Sequence, residues 1–156
     1  MSTLNFRLAC RDDLPALVQL LIDDDLGKLR EEASVEALHP GYLDAFAAID
    51  RDPHHELIVG EMAGDVVATL QLSFLPGLSR RGSWRAQIEA VRVARDLRGS
   101  GVGGAMMAWA IERAQERGCR LVQLTSDKQR PDAIRFYQKL GFQATHEGFK
   151  LQLPND

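Results

Sequence analysis

The chain is short of cysteine, of long apolar runs and of a dominant charge, and each shortage removes a class of protein. Two cysteines in 156 residues exclude a disulfide framework and a cysteine-rich metal site, so Cys10 and Cys119 are expected as buried free thiols. No stretch reaches the roughly 18 uninterrupted apolar residues of a membrane-spanning helix. The opening MSTLNFRLACRDD also lacks the basic start and apolar run of a secretory signal. A cytoplasmic location without a membrane partner is the expectation. With 19 Lys and Arg against 22 Asp and Glu, the net charge is only -3. That balance argues against a nucleic-acid partner and leaves room for a local patch that holds an anion. His39, His54, His55 and His146 have no metal-ligand spacing, so no metal is expected.

What is present suits one core. Apolar residues make up 45% of the chain, and no linker or repeat divides it, so residues 1–156 are expected to form a single domain. Phe6, Leu8 and Cys10 alternate as in a strand, and Leu14, Leu17, Val18 and Leu21 then take helical spacing. The acidic run Asp23, Asp24, Asp25 follows. Val35, Leu38, Tyr42, Phe46 and Ile49 predict a second helix, bent near Pro40 and Gly41. HELIVGE and VVATLQLSFL, joined by a turn, predict paired antiparallel strands, and PGLSRRGS separates them from a further strand in RAQIEAVRV. In that strand the alternation slips at Glu89 and Ala90, as at a bulge. Met106, Met107, Ala110, Ile111 and Ala114 trace the buried stripe of a helix, with both methionines as core filler. LVQLT reads as a strand and RPDAIRFYQKLGF as a helix closed by Gly141. A short strand near Phe142 to Ala144 and a last one in HEGFKLQL bring the expectation to seven strands and four helices.

Arg98 to Gly104 read RGSGVGG, a glycine turn between a strand and a helix, where exposed amides can surround an anionic group. Gly99, Gly101 and Gly104 fit the dinucleotide spacing G-x-G-x-x-G. Only 52 residues follow Gly104, however, too few for the large parallel sheet such a domain needs. No Gly-Lys-Ser or Gly-Lys-Thr follows the glycines, which removes a P-loop. A tight turn serving the fold alone is the competing reading.

Taken together, IEAVRVARDLRGSGVGGAMMAWAIERA and AIRFYQKLGF resemble the GNAT superfamily of N-acetyltransferases. Arg98, Gly101 and Gly103 match its Arg/Gln-x-x-Gly-x-Gly/Ala coenzyme motif, with Gly99 and Gly104 as additional small residues. Ala133, Phe136, Tyr137, Leu140, Gly141 and Phe142 match its later A-x-x-F-Y-x-x-x-G-F signature. The resemblance is closest over residues 86 to 144. It implies an α/β chain of the α+β acyl-CoA-binding type, with a mixed, mostly antiparallel central sheet flanked by helices. It also implies acetyl-CoA as cofactor. The pyrophosphate would lie on the amides of Arg98, Gly99, Ser100, Gly101, Val102, Gly103 and Gly104, and the pantetheine arm against the backbone at Val91 and Val93. Arg130 stands where related enzymes often carry asparagine, and it is open as a phosphate contact or as a surface residue.

The resemblance further implies direct acetyl transfer to an amine, with Tyr137 as the acid and Glu89 as the base, water bridging the latter. A glutamate near pKa 4.3 and an amine near 10.4 differ by about 8 kcal/mol, so deprotonation needs shifted values or an already neutral amine. For the acceptor, Asp23 to Asp25, Tyr42, Phe74 and Pro76 to Trp84 are all candidates for the mouth. The acidic run reads equally as a solvated helix end. A small-molecule amine leads. A peptide or protein amine and a non-catalytic acyl-CoA sensor are the alternatives, and a homodimer is compatible with the resemblance.

Overall fold

In a computed structural model, the protein is described at residues 2–23 and 38–155. The elements are β1 (Leu4–Leu8), α1 (Leu14–Ile22), α2 (Pro40–Arg51), β2 (His55–Met62), β3 (Asp65–Leu75), the single turn α3 (Ser79–Gly82), β4 (Trp84–Val93), α4 (Val102–Glu116), β5 (Cys119–Leu124) and α5 (Pro131–Lys139). Residues 1–124 form one compact unit, carrying all five strands and α1 to α4, and residues 125–156 form a second that carries α5.

The strands make one sheet in the order β1-β2-β3-β4-β5, antiparallel from β1 to β4 and parallel between β4 and β5. This is the mixed, mostly antiparallel sheet expected from the sequence. Local chemistry explains the connections. The β2–β3 turn places Ala63 and Gly64 at φ of 53° and 82°, the left-handed pair whose twist matches the strands of a two-residue hairpin. A parallel neighbour needs a crossover, and α4 supplies it between β4 and β5.

Strand register sorts the side chains into two faces. Leu57 and Val59 of β2 meet Leu14 and Leu17 of α1 and Leu43 and Phe46 of α2. On the other face Ile58, Leu70, Leu72, Phe74, Ala86 and Ile88 are fully buried, as are Met106, Met107 and Ala110 of α4, so both methionines are core. Trp109 of α4 reaches Phe6 of β1, with ring centroids 6.1 Å apart, and Arg117 lies 4.1 Å over the Phe74 ring. At the start of α1 the buried Asp13 accepts two hydrogen bonds from Arg7, at 2.8 and 2.9 Å, and one from the Cys10 amide at 2.7 Å. The Arg7 guanidinium holds its carboxyl at about 2, against an ordinary value of 3.8.

Three expectations are corrected. The second helix does not bend at Pro40 but begins there. Proline suits the first helical position, and His39 Nδ1 caps the end by accepting the Gly41 N–H at 3.0 Å. Leu38 lies outside that helix, and Val35 lies outside the described residues. Cys10 and Cys119 are free thiols but not buried ones: Cys10 is exposed just past the end of β1, and Cys119 is half-buried at the start of β5, where burial pushes its thiol up. The described residues hold five strands rather than seven. Residues 142–155 contain none, although Phe149, Leu151 and Leu153 alternate as a strand would and are 93%, 86% and 69% exposed. Alternation is a property of one segment, whereas a strand needs a neighbour to bond with. The segment from Pro76 to Trp84 leads into β4 at its Trp84 end, ten residues of strand, about 30 Å, from the Val93 end and the glycine turn.

Candidate active site

The site begins with an irregularity in β4. Gln71 pairs with Glu89 and Thr69 with Arg92, so Ala90 and Val91 stand together opposite Leu70. Ala90 takes a left-handed φ of 53°, as the extra residue of a bulge allows. The slip in alternation at Glu89 and Ala90 therefore marks a real bulge, and Glu89 is exposed beside it. Pairing between β4 and β5 ends at Ile88 and Leu124. Within the unit of residues 1–124, β4 from Glu89 to Val93 has no described strand along that edge. Val91 and Val93 sit half-buried on it. The Val91 carbonyl accepts from Arg92 Nη1 at 2.9 Å and the Val93 carbonyl from Arg98 Nε at 3.3 Å.

Beyond Val93 the chain turns through the glycines into α4. Gly99 and Gly101 have φ of 80° and 94°, conformations that side-chain-bearing residues rarely adopt. Gly101 caps α4 without a side chain, and the Ser100 hydroxyl turns back to the Leu97 carbonyl instead. The Ala105 N–H bonds to the Gly101 carbonyl at 3.0 Å, so the amides of Val102, Gly103 and Gly104 precede the helical ladder. Among the described residues, a Cβ built on Gly99, Gly101 or Gly104 would meet no atom within 4 Å. Unladdered donors, the positive end of the helix field and open space above small residues together suit a large oxyanion such as a pyrophosphate. The Arg98 side chain is turned elsewhere. Its Nη2 lies 3.4 Å from the Asp23 carbonyl, which also accepts from Arg95 Nη2 at 2.6 Å.

Other mouth candidates are placed as follows. The Asp23 carboxylate accepts from Gln19 Nε2 at 2.9 Å at the C-terminal end of α1, the role of a helix end. Asp24 and Asp25 lie outside the described residues. Tyr42 lies in α2, and Phe74 is buried under Arg117.

In the second unit, α5 starts on Pro131, with Arg130 at its cap position and no side-chain cap. Its other end accounts for the spacing of the Tyr-x-x-x-Gly-Phe signature. Gly141, at φ of 100°, donates to the Gln138 carbonyl at 3.0 Å, and Phe142 donates to the Tyr137 carbonyl at 3.1 Å. That pair of bonds is a Schellman motif, and the accompanying apolar contact is Tyr137 against Phe142, edge to face at 6.0 Å. Phe136 meets Tyr137 edge to face at 5.2 Å. The phenol is thus carried by a ring whose position the helix end fixes. Glu89 and the glycine turn belong to the first unit and Tyr137 and Arg130 to the second.

Sequence reasoning passed over a group beside Glu89. On the face that carries Glu89, opposite α4, His55, Ser73, Gln87 and Gln123 stand directly across from one another on β2, β3, β4 and β5. Polar residues at alternate positions inside otherwise apolar strands, Gln71 and Ser73 then Gln87 and Glu89, were the available signal.

The Acetyltransferase (GNAT) family model matches residues 18–142. The solved structure of a transcriptional regulator from Bacillus halodurans is 48% identical with a TM-score of 0.94, covering 97% of this chain and 100% of that one. An aminoalkylphosphonate N-acetyltransferase of Salmonella typhimurium is 28% identical over 153 residues, which are 98% of this chain and 94% of its own length. A glucosamine 6-phosphate N-acetyltransferase of Trypanosoma brucei is 33% identical over 90 residues, 58% of this chain and 59% of its own length.

Proposed function

This chain belongs to the GNAT acetyltransferase family, and from that premise we propose that it transfers the acetyl group of acetyl-CoA to the primary amine of a small molecule. The observation that carries the reading is the start of α4, where three amides precede the helical ladder and Gly99, Gly101 and Gly104 leave the space above them open. Acetyl-CoA supplies an acetyl group already activated as a thioester. The chain's own residues bind, align and move protons. Amides of Gly99 and of Gly101 to Gly104 hold the phosphates, whereas those of Arg98 and Ser100 turn back to the Arg95 and Leu97 carbonyls at 3.4 and 3.2 Å. The free edge of β4 at Val91 and Val93 offers backbone donors and acceptors to the amide-bearing arm. Arg130 is assigned as a further phosphate contact.

Glu89, exposed at the bulge, attracts the acceptor ammonium and takes its proton, directly or through water. The Tyr137 phenol returns a proton to the departing sulfur. Both named acceptors among the relatives carry an amine together with a phosphonate or phosphate, which supports a small-molecule acceptor over a peptide. A second reading, an acyl-CoA sensor without turnover, has one observation in its favour: the 48% identical Bacillus halodurans protein is described as a transcriptional regulator.

Acetyl transfer from acetyl-CoA, measured on a panel of small amines and peptides with the product masses read, tests the proposal. Acetylation of a small amine is expected, and Tyr137→Phe should lower kcat on the order of 10²-fold while coenzyme affinity changes little. Tight coenzyme binding with no product on any amine would favour the sensor. Equal loss of affinity and rate in the tyrosine variant would remove its role as acid.

A further inference from the structure

The face of the sheet opposite α4 is apolar where α1 and α2 cover β2, yet polar across the middle of β3, β4 and β5. Three register rows lie along it. Nearest the glycine turn, Gln71 pairs with Glu89. One row further, His55, Ser73, Gln87 and Gln123 align across four strands. One row beyond that, Arg85 stands beside Leu121. Successive rows on one face are about 6.6 Å apart.

The middle row is internally bonded. Gln123 Nε2 donates to Gln87 Oε1 at 2.7 Å, His55 Nδ1 lies 2.8 Å from Ser73 Oγ, and His55 Nε2 lies 3.5 Å from the Asp52 carboxylate. Ser73 is buried, while Gln87, Gln123, His55 and Arg85 are half-buried. A primary amide carries two N–H donors, and the single bond between the glutamines uses one of their four. The floor therefore presents a carboxylate at one end, then amide donors, then a guanidinium. An antiparallel sheet commonly carries polar side chains on the face its core does not use; what sets this face apart is that its polar residues fall into register rows and leave amide donors over.

We infer that this row selects the acceptor: Gln87 and Gln123, backed by Arg85, bind an oxyanion on the same small molecule whose ammonium faces Glu89. The acceptor class is a short zwitterion, an amine joined through two or three carbons to a phosphonate, phosphate or carboxylate, long enough to bridge side chains of adjacent rows. The inference rests on the acetyl-transfer reading for the role of Glu89, but the binding it describes does not require turnover. Glu89 orients the amine, and the glutamines make the chain discriminate against amines that lack the acid group.

The test compares 2-aminoethylphosphonate with propylamine, which share the amine and differ in the oxyanion. In wild-type protein with CoA bound, titration of 2-aminoethylphosphonate should shift the side-chain amide NMR signals of Gln87 and Gln123, and propylamine should not. The double variant Gln87→Leu/Gln123→Leu should weaken 2-aminoethylphosphonate binding at least tenfold by calorimetry. It should also raise the KM for that acceptor similarly, leaving the KM for acetyl-CoA and for propylamine unchanged. Single variants Gln87→Asn and Gln123→Asn, which keep the amide, guard against a folding defect and should fall between. Binding with shifted glutamine signals but no acetylation would sustain this inference and overturn the transfer reading. Acetylation of 2-aminoethylphosphonate with unmoved glutamine signals and an unchanged KM in the double variant would do the reverse. Absence of binding, or equal loss for both amines, would overturn the inference.

Discussion

The two ends of α4 are built in opposite ways. At its C-terminal end side chains tie the helix down: the buried Glu56 carboxylate accepts from Arg113 at 2.6 Å and from Arg117 at 3.1 Å, and Arg117 also bonds the Pro53 carbonyl at 2.9 Å while lying over Phe74. Glu56 raises the pKa of Arg113 above its ordinary value. At its N-terminal end no side chain caps the helix, the cap residue is a glycine, and a Cβ on Gly101 or Gly104 would meet none of the described residues within 4 Å. A glycine cap is only about 0.3 kcal/mol worse than a good side-chain cap. The closed end holds the crossover against the sheet, and the bare end leaves the amides of Val102, Gly103 and Gly104 ahead of the helical ladder.

Removing the closed end should have the largest effect. Glu56→Gln leaves two guanidiniums facing a neutral amide in a buried position, and it should cost about 3 kcal/mol of unfolding free energy, read by urea denaturation. Coenzyme affinity of the folded fraction should stay within twofold. A coenzyme defect as large as the stability loss would mean that the two ends of α4 are not separable. Gly101→Val comes next and should act at the other end. A β-branched residue at φ of 94° is strained by about 2 kcal/mol. The turn must therefore move, and coenzyme affinity measured by calorimetry should fall at least tenfold.

How much of this was visible beforehand follows from how local each feature is. The bulge could be read because Glu89 and Ala90 break a two-residue period within one strand, and the Schellman end of α5 could be read because Tyr137, Gly141 and Phe142 are near neighbours in sequence. Met106 and Met107 were placed in the core by helical spacing alone. Of the row His55, Ser73, Gln87, Gln123 only the polar alternation within single strands could be read, because the row itself exists only once four strands take a register, and a shift of one residue in any strand would scatter it. Glu56 looked like an ordinary strand residue, since Arg113 and Arg117 are more than 50 positions away. The segment from residue 142 to 153 failed in the other direction, its alternation promising strands that have no described partner.

The start of α1 supplies a titratable version of a closed end, with a smaller effect. The Asp13 carboxyl is held at about 2 by Arg7, below its ordinary 3.8. A depressed acid contributes its stability above the ordinary value and loses it as pH falls toward the folded one. The chain should therefore lose about 2 kcal/mol between pH 5 and pH 2, and Asp13→Asn should flatten that part of the stability profile. Denaturation at stepped pH measures it. An unchanged profile in the variant would place the acid sensitivity elsewhere.

The smallest change tests the bare end most directly, because the two explanations for its glycines predict opposite signs. Gly104 lies inside α4 and a Cβ there would touch nothing. On helix propensity alone, Gly104→Ala should then raise stability by up to about 1 kcal/mol, seen as a higher Tm without ligand. If the space above Gly104 is solvent, coenzyme affinity should follow or hold. If it is the space that phosphates occupy, the added methyl group stands in their path, and affinity should fall while Tm rises. The second outcome is expected, since a stabilising residue that the helix accommodates freely is withheld only at a cost in folding free energy.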